Sequence, residues 1–191
     1  MPRLACPEEA HGTLHVVQRA RERRVCFSCT GDRAAYLEAL RECAAWAGCA
    51  VHAYALMGNH VHLLVTCARG GAAARLMPAI AACYARHLAT VYGYEETLWA
   101  EPYDASPVHA RRHLLACMRY IEENPVRAGL ASHPGEYPWS SYRANALGED
   151  DALLTPHPHY CSLGRSPLER RAAYAALFAR PPQTRTRPGT C

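Results

Sequence analysis

The spacing of apolar positions along the chain switches between a period of two and a period near 3.6. GTLHVVQRA (12–20) places β-branched and apolar residues after a glycine and reads as a first strand, followed by a basic loop, RERR. Over 31–48 the period lengthens: Tyr36, Leu37, Leu40, Ala44 and Ala47 share a stripe, with Asp32 as the predicted N-cap and Gly48 as the C-cap. CAVHAYALM (49–57) and HVHLLVT (60–66) read as two strands, and the Gly58-Asn59 pair between them is a hairpin signal, since both residues tolerate positive φ. A second long helix is predicted over 70–93, with Pro78 either within its first turns or dividing them. TLWAEPYDAS (97–106) is a short strand or extended segment weakened by Pro102. SPVHARRHLLACMRYIEENP (106–125) is a third helix, predicted to stop at Asn124 because a following proline disfavours the α conformation. SPLERRAAYAALFAR (166–180) is a short amphipathic helix whose Leu168, Ala172, Ala175 and Leu177 are expected to pack back on the domain. RPPQTRTRPGT (180–190) is expected to be disordered.

The order is β-α-β-β-α-β followed by a helix. That is the α+β, ferredoxin-like (RRM-like) arrangement: an antiparallel sheet with two helices on one face and the other face free for a ligand or for the third helix.

Composition narrows this picture in three ways. The chain has 191 residues, half of them hydrophobic, which suits one domain with an appended C-terminal segment. No apolar run approaches the ~20 residues needed to span a bilayer. The start, MPRLACPEEAHGTLH, has acids and a proline and does not read as a signal peptide, so a cytoplasmic protein with no membrane partner is expected. The ten cysteines are scattered through a chain that is neither small nor visibly secreted, so free thiols are expected. Cys43, Cys83 and Cys117 would act as small hydrophobes, and the lone Cys26/Cys29 pair as a turn or loop. The formal charge is only +4, but all 21 basic residues are arginine, whose planar fork suits phosphate and stacks on bases. A GC-rich coding bias would produce the same enrichment, so charge alone leans only mildly toward nucleic acid.

The chemistry concentrates in two places. His60 and His62 share one face of a strand, ~7 Å apart by backbone rise, and can converge on one divalent ion. The alternative is that one ring covers the helix layer while the other is solvated. In the third helix, His113, Cys117, Tyr120 and Asn124 fall on one stripe, opposite Leu114, Met118 and Ile121. Tyr120 is either a nucleophile or an amphipathic interface residue. Asn124 offers an amide oxygen that could complete a ligand set for an ion that polarises a phosphodiester.

HAYALMGNHVHLLV and CMRYIEENPVRAGLASHPGEYPWSSYRAN together resemble the tyrosine transposases of the HUH single-strand nuclease superfamily. More narrowly, they resemble the REP-associated tyrosine transposases within the IS200-like group. The resemblance runs from about Gly12 to about Asn145, and LLTPHPHYCSLG with the following helix resembles a C-terminal extension of one subgroup. It implies a transposase domain over 1–145, a helical extension over 146–180 and a tail over 181–191. It further implies a single-strand DNA endonuclease and strand transferase working by metal-assisted transesterification. Tyr120 would be the catalytic nucleophile, forming a 5′-phosphotyrosine link. His60, His62 and Asn124 would bind Mg²⁺ or Mn²⁺. The partner would be single-stranded DNA with hairpin (REP-like) elements, and the protein a monomer or homodimer, nucleoid-associated when bound to DNA. The family usually has proline where this chain has Gly58, and a basic or glutamine-containing stretch where it has Glu101, Pro102 and Asp104.

DNA contacts are expected from arginines: Arg19, Arg21, Arg23 and Arg24 after the first strand, and Arg111, Arg112, Arg119 and Arg127 around the tyrosine helix. Trp139 and Tyr142 are read as packing the end of the domain. Two other readings stay open: a domesticated relative, weak or inactive in catalysis, that binds structured single-stranded nucleic acid, and a metal-dependent phosphodiesterase that uses water.

Overall fold

The computed structural model describes residues 12–94, 96–100 and 102–179. The tail expected over 181–191 and Glu101 lie outside them. Four strands, β1 (Gly12–Arg19), β2 (Cys49–Leu56), β3 (His60–Cys67) and β4 (Asp104–Pro107), form one sheet in the order β2-β3-β1-β4, with every neighbour antiparallel. This is the ferredoxin-like order that the element sequence predicts. Helices α1 (Thr30–Ala47) and α2 (Ala72–Tyr92) cover one face. Strand alternation sends Leu14 and Val16, Leu63 and Val65, and Tyr54 and Leu56 into that layer, where Tyr36, Tyr84 and Trp99 pack ring to ring. The opposite face carries Ala53, Ala55, Met57 and Leu64, and α3 (Arg111–Arg127) lies on it through Leu114, Met118 and Ile121. The packing side predicted for the third helix is therefore the observed one.

Several boundaries differ from expectation for identifiable reasons. Asp32 is not the N-cap of α1. It sits at the third helical position and reaches back to accept from the N–H groups of Ser28 (2.8 Å) and Cys29 (3.2 Å), with Cys29 as the cap residue. The strand expected over 97–106 shrinks to Asp104–Pro107, because Leu98 and Trp99 turn into the core and only an isolated bridge joins Trp99 to Ala20. α3 does not stop at Asn124 but runs through Pro125 to Arg127. Proline leaves the Ile121 carbonyl without its helical partner. The Asn124 side chain compensates, its Nδ2 donating to the carbonyls of Tyr120 (2.8 Å) and Ile121 (3.4 Å).

Beyond α3, short helices α4 (Pro158–Cys161) and α5 (Pro167–Ala175) fold back on the same side of the sheet. Leu168 does not pack as expected: it is 75% exposed, and Ala172 is exposed too, whereas Ala175 and Leu177 do touch the core. The rotation of α5 is set by Tyr174, which is fully buried and donates from its hydroxyl to Glu122 (2.7 Å). A larger ring with a polar anchor outweighs a single leucine. The eight cysteines among the described residues are free thiols. No helix among those residues is long and apolar enough to cross a membrane.

Candidate active site

The sheet face under α3 holds the chemistry. Register pairs Arg19 with His60 and Val17 with His62, so His15, Arg19, His60 and His62 all project from this face. The rings of His60 and His62 lie 4.9 Å apart between centroids at 77°. From α3, the Tyr120 ring stands edge-on to His62 at 5.8 Å and to His15 at 5.9 Å, and Tyr120 is 39% exposed. The Arg127 guanidinium sits 5.1 Å above the Tyr120 ring. Two strands and a helix thus bring the predicted histidine pair and the predicted tyrosine together at a half-open site.

The histidines are neutral at pH 7. Burial pushes His62 down to about 3, with smaller contributions from His15, His60 and Arg19. Burial also pushes His15 down to about 4, with His113 adding to it. His60 is lowered by burial and then by Arg19. Neutral imidazole is the form that binds a divalent ion. His60 Nδ1 lies 2.7 Å from Asn59 Oδ1. That oxygen can only accept, so the ring proton is on Nδ1 and the Nε2 lone pair is open. This is the arrangement a metal-binding histidine needs, and the pair fits a divalent cation. Among the described residues no group of three or more His, Cys, Asp or Glu side chains is placed to hold a metal, so further donors must come from an amide, water or the substrate. Asn124, one turn beyond Tyr120 on α3, is the amide that the sequence predicts for this role. With its nitrogen engaged by the two backbone carbonyls, its Oδ1 is the atom left for an ion.

The arginines divide. Arg19, Arg23, Ala20 and Asn59 line a cavity of about 230 Å³ beside His60. Arg21 and Arg23 are exposed on a 3-10 turn in which Glu22 and Arg23 take positive φ (52° and 59°). Arg112 is exposed on the first turn of α3. Arg19 also stands 3.9 Å from Asp104. Arg24 donates to Glu96 at 2.7 Å. Arg119 is held by protein groups, donating to the Leu177 carbonyl at 2.9 Å and pairing with Glu123 at 3.3 Å, and Glu123 also pairs with Arg127 at 3.0 Å. Sequence reasoning overlooked His15. Its signal was available: a histidine in phase with Val17 and Arg19 on a strand whose alternate positions, Leu14 and Val16, are core.

An α+β sheet with a histidine pair on one strand and a facing tyrosine on an added helix defines a ferredoxin-like protein with a polar centre on its free face. The model of the IS200-like transposase family matches residues 10–124, from β1 to Asn124 of α3. The chain belongs to that family. A solved structure of a REP-associated tyrosine transposase bound to a REP hairpin is similar over 78% of this chain and 88% of its own, at 16% identity and a TM-score of 0.62, a likeness of fold. A crystal structure from Deinococcus radiodurans, described as a candidate transposase, aligns over 58% of this chain and 88% of its own, at 19% identity and a TM-score of 0.44. No curated protein matches the sequence.

Proposed function

We propose that the protein is a tyrosine-type DNA transposase that cuts and rejoins hairpin-bearing single-stranded DNA by transesterification. The observation that carries this reading is the meeting of Tyr120 with the histidine pair, a nucleophile from α3 against neutral imidazoles from β3. His60 and His62, through their Nε2 atoms, with Asn124 Oδ1 would hold Mg²⁺ or Mn²⁺. Bound there, the ion supplies Lewis-acid polarisation of the scissile phosphate. The Tyr120 oxygen attacks phosphorus, the bond to the 3′ oxygen breaks, and the net destination of the phenolic proton is the departing 3′-hydroxyl. A 5′-phosphotyrosine remains, which a second 3′-hydroxyl can attack in reverse. Arg127 places positive charge against the attacking ring. Arg19 and Arg23 offer a basic cavity for a neighbouring phosphate, and Arg21 and Arg112 extend the basic surface. That histidines and tyrosine of one chain meet supports a site supplied by a single subunit.

The test is incubation of the full chain with labelled hairpin-containing single-stranded DNA and Mn²⁺, followed by denaturing electrophoresis. A covalent adduct is expected, and it should vanish in Tyr120→Phe. An adduct that persists in that variant would overturn the assignment. Cleavage without any adduct would instead point to a phosphodiesterase using water. The Asp104 carboxylate, 3.9 Å from Arg19 at the basic cavity where it would repel phosphate, favours a second reading, a relative that binds structured DNA without cutting. Salt-dependent binding with no adduct under either metal would establish that one.

A further inference from the structure

His15 stands on β1, two residues before Val17, the register partner of His62. Its Nε2 lies 3.0 Å from His62 Nδ1. The two rings are nearly coplanar, 18° apart with centroids at 5.3 Å. A short nitrogen–nitrogen distance between near-coplanar rings is an in-plane hydrogen bond, with an N–H of one imidazole aimed at the lone pair of the other. Two neutral rings can satisfy it in only two ways. If His15 donates, His62 must carry its proton on Nε2 and turns a donor outward. If His62 donates, its Nε2 lone pair is left open. On the same strand face, His60 is already held in the second form by the Asn59 oxygen.

We propose that His15 is a positioning residue: it accepts the Nδ1–H of His62 and fixes the tautomer in which His62 Nε2 is free for a divalent cation. Each histidine of the pair then has its own acceptor, Asn59 Oδ1 for His60 and His15 Nε2 for His62. The two acceptors come from different elements, the β2–β3 turn and the neighbouring strand. The sheet register itself therefore sets the protonation of the site. This inference rests on the reading of His60 and His62 as ion ligands, and the experiment separates the two.

Two-bond ¹H–¹⁵N correlation spectra of the metal-free, ¹⁵N-histidine-labelled full chain at pH 7 report the tautomer of each ring. His62 is expected as the Nδ1–H form in the wild type and in His15→Gln, whose amide oxygen still accepts. In His15→Leu it is expected to shift toward the Nε2–H form. Mn²⁺ affinity, followed by electron paramagnetic resonance of free Mn²⁺, should stay within about threefold in His15→Gln and fall about 10- to 100-fold in His15→Leu. Circular dichroism checks the fold. Should the leucine variant not fold, His15→Phe keeps a ring without an acceptor and takes its place. An Nε2–H His62 in the wild type, or a variant lacking the acceptor that leaves tautomer and affinity unchanged, overturns the proposal. If the tautomer moves as expected but the wild type binds no Mn²⁺, the role of His15 stands and the ion reading falls.

Discussion

The sheet face under α3 carries two histidine clusters, one toward each end, and they differ in how completely their hydrogen bonds are closed. At one end, His52 Nδ1 donates to the Thr155 carbonyl (2.6 Å), which leaves His52 Nε2 to accept from the Thr66 hydroxyl (2.7 Å). The Thr66 oxygen then accepts from Thr13 (2.8 Å). Thr13 accepts from His157 Nε2 (3.3 Å), whose own Nδ1 accepts from the His159 N–H (3.0 Å). Every donor in that chain has an acceptor, and the direction of each bond follows from the first. It clamps β1, β2 and β3 to the C-terminal segment around His52, the extra residue of a β-bulge. At the other end His62 is buried and His15 and His60 are half-buried, yet the bonds stop at the Nδ1 atoms of His60 and His62, and Tyr120 overhangs the open side. A closed network holds the fold together, whereas a buried network left open on one side is where a ligand enters.

Removing the proposed nucleophile should have the largest effect on the open end. Tyr120→Phe is expected to reduce covalent adduct on gels below detection, a loss of more than about 1,000-fold. Its melting temperature should barely move, since the hydroxyl belongs to a residue 39% exposed. His60→Ala and His62→Ala come next. Each should weaken Mn²⁺ binding by more than about 100-fold in calorimetric titration while the protein stays folded. If either alanine variant bound Mn²⁺ normally, the open cluster would have to be a structural network like the closed one.

The closed end should respond the other way. His52→Leu leaves Thr66 and the Thr155 carbonyl short of a partner and is expected to cost about 2–4 kcal/mol in urea unfolding. Adduct formation per folded molecule should not change. A loss of adduct chemistry at constant stability would mean that the two ends are coupled.

The contrast also explains what could be read from the chain alone. Element order, the packing side of α3 and the shared strand face of His60 and His62 follow from local periodicity, because strand alternation and helical stripes are set by neighbours two to four residues away, whereas their meeting with Tyr120 is what the family resemblance implies. His15 and the His52 chain depend on pairing between strands far apart in sequence and on one bulge, which periodicity does not encode. The extent of β4 escapes periodicity for the same reason: Leu98 and Trp99 have strand-like spacing, but a place in the core wins over a place in the sheet. The run of α3 through Pro125 turned on a side chain, Asn124, supplying what the proline withholds. Arg119, expected among the DNA contacts, also binds a carbonyl, that of Leu177, which only α5 and the segment after it supply.

Glu122 lies between the two extremes, with its hydrogen bonds closed but its charge uncompensated. It is fully buried on α3 and accepts from Ser141 (2.6 Å), Asn145 (2.9 Å) and Tyr174 (2.7 Å). Burial outweighs those three bonds and pushes the carboxyl from 4.5 up to about 7. The folded chain therefore keeps a proton that the unfolded chain releases between those values, so Glu122 makes stability fall as pH rises through that window, by about 3 kcal/mol at most. His15 and His62 act oppositely, since the unfolded chain protonates them first as pH drops below 6.5. The difference in urea unfolding free energy between wild type and Glu122→Gln isolates the carboxyl. The glutamine variant should match the wild type near pH 4.5 and gain on it toward pH 7, and a flat difference would show that the carboxylate is held ionised.

The smallest expected effect is at the turn that presents His60. Positive φ was the reason to expect a tight turn at Gly58-Asn59, yet neither residue is among those with positive φ, and a methyl group built on Gly58 meets nothing within 4 Å. The turn is held by its carbonyls instead: Gly58 accepts from the Cys26 N–H (2.7 Å) and Asn59 from the Ala20 N–H (2.9 Å). Glycine there adds freedom to the unfolded chain and contributes nothing the folded turn requires. Gly58→Ala should therefore stabilise the protein by about 0.4–1 kcal/mol and leave Mn²⁺ affinity unchanged, because the bond from His60 Nδ1 to Asn59 does not involve the added methyl. A destabilised alanine variant, or one with weakened Mn²⁺ binding, would show that the turn must flex for the open end to work, and the preorganisation ascribed here to Asn59 and His15 would then have to be sought in the bound state.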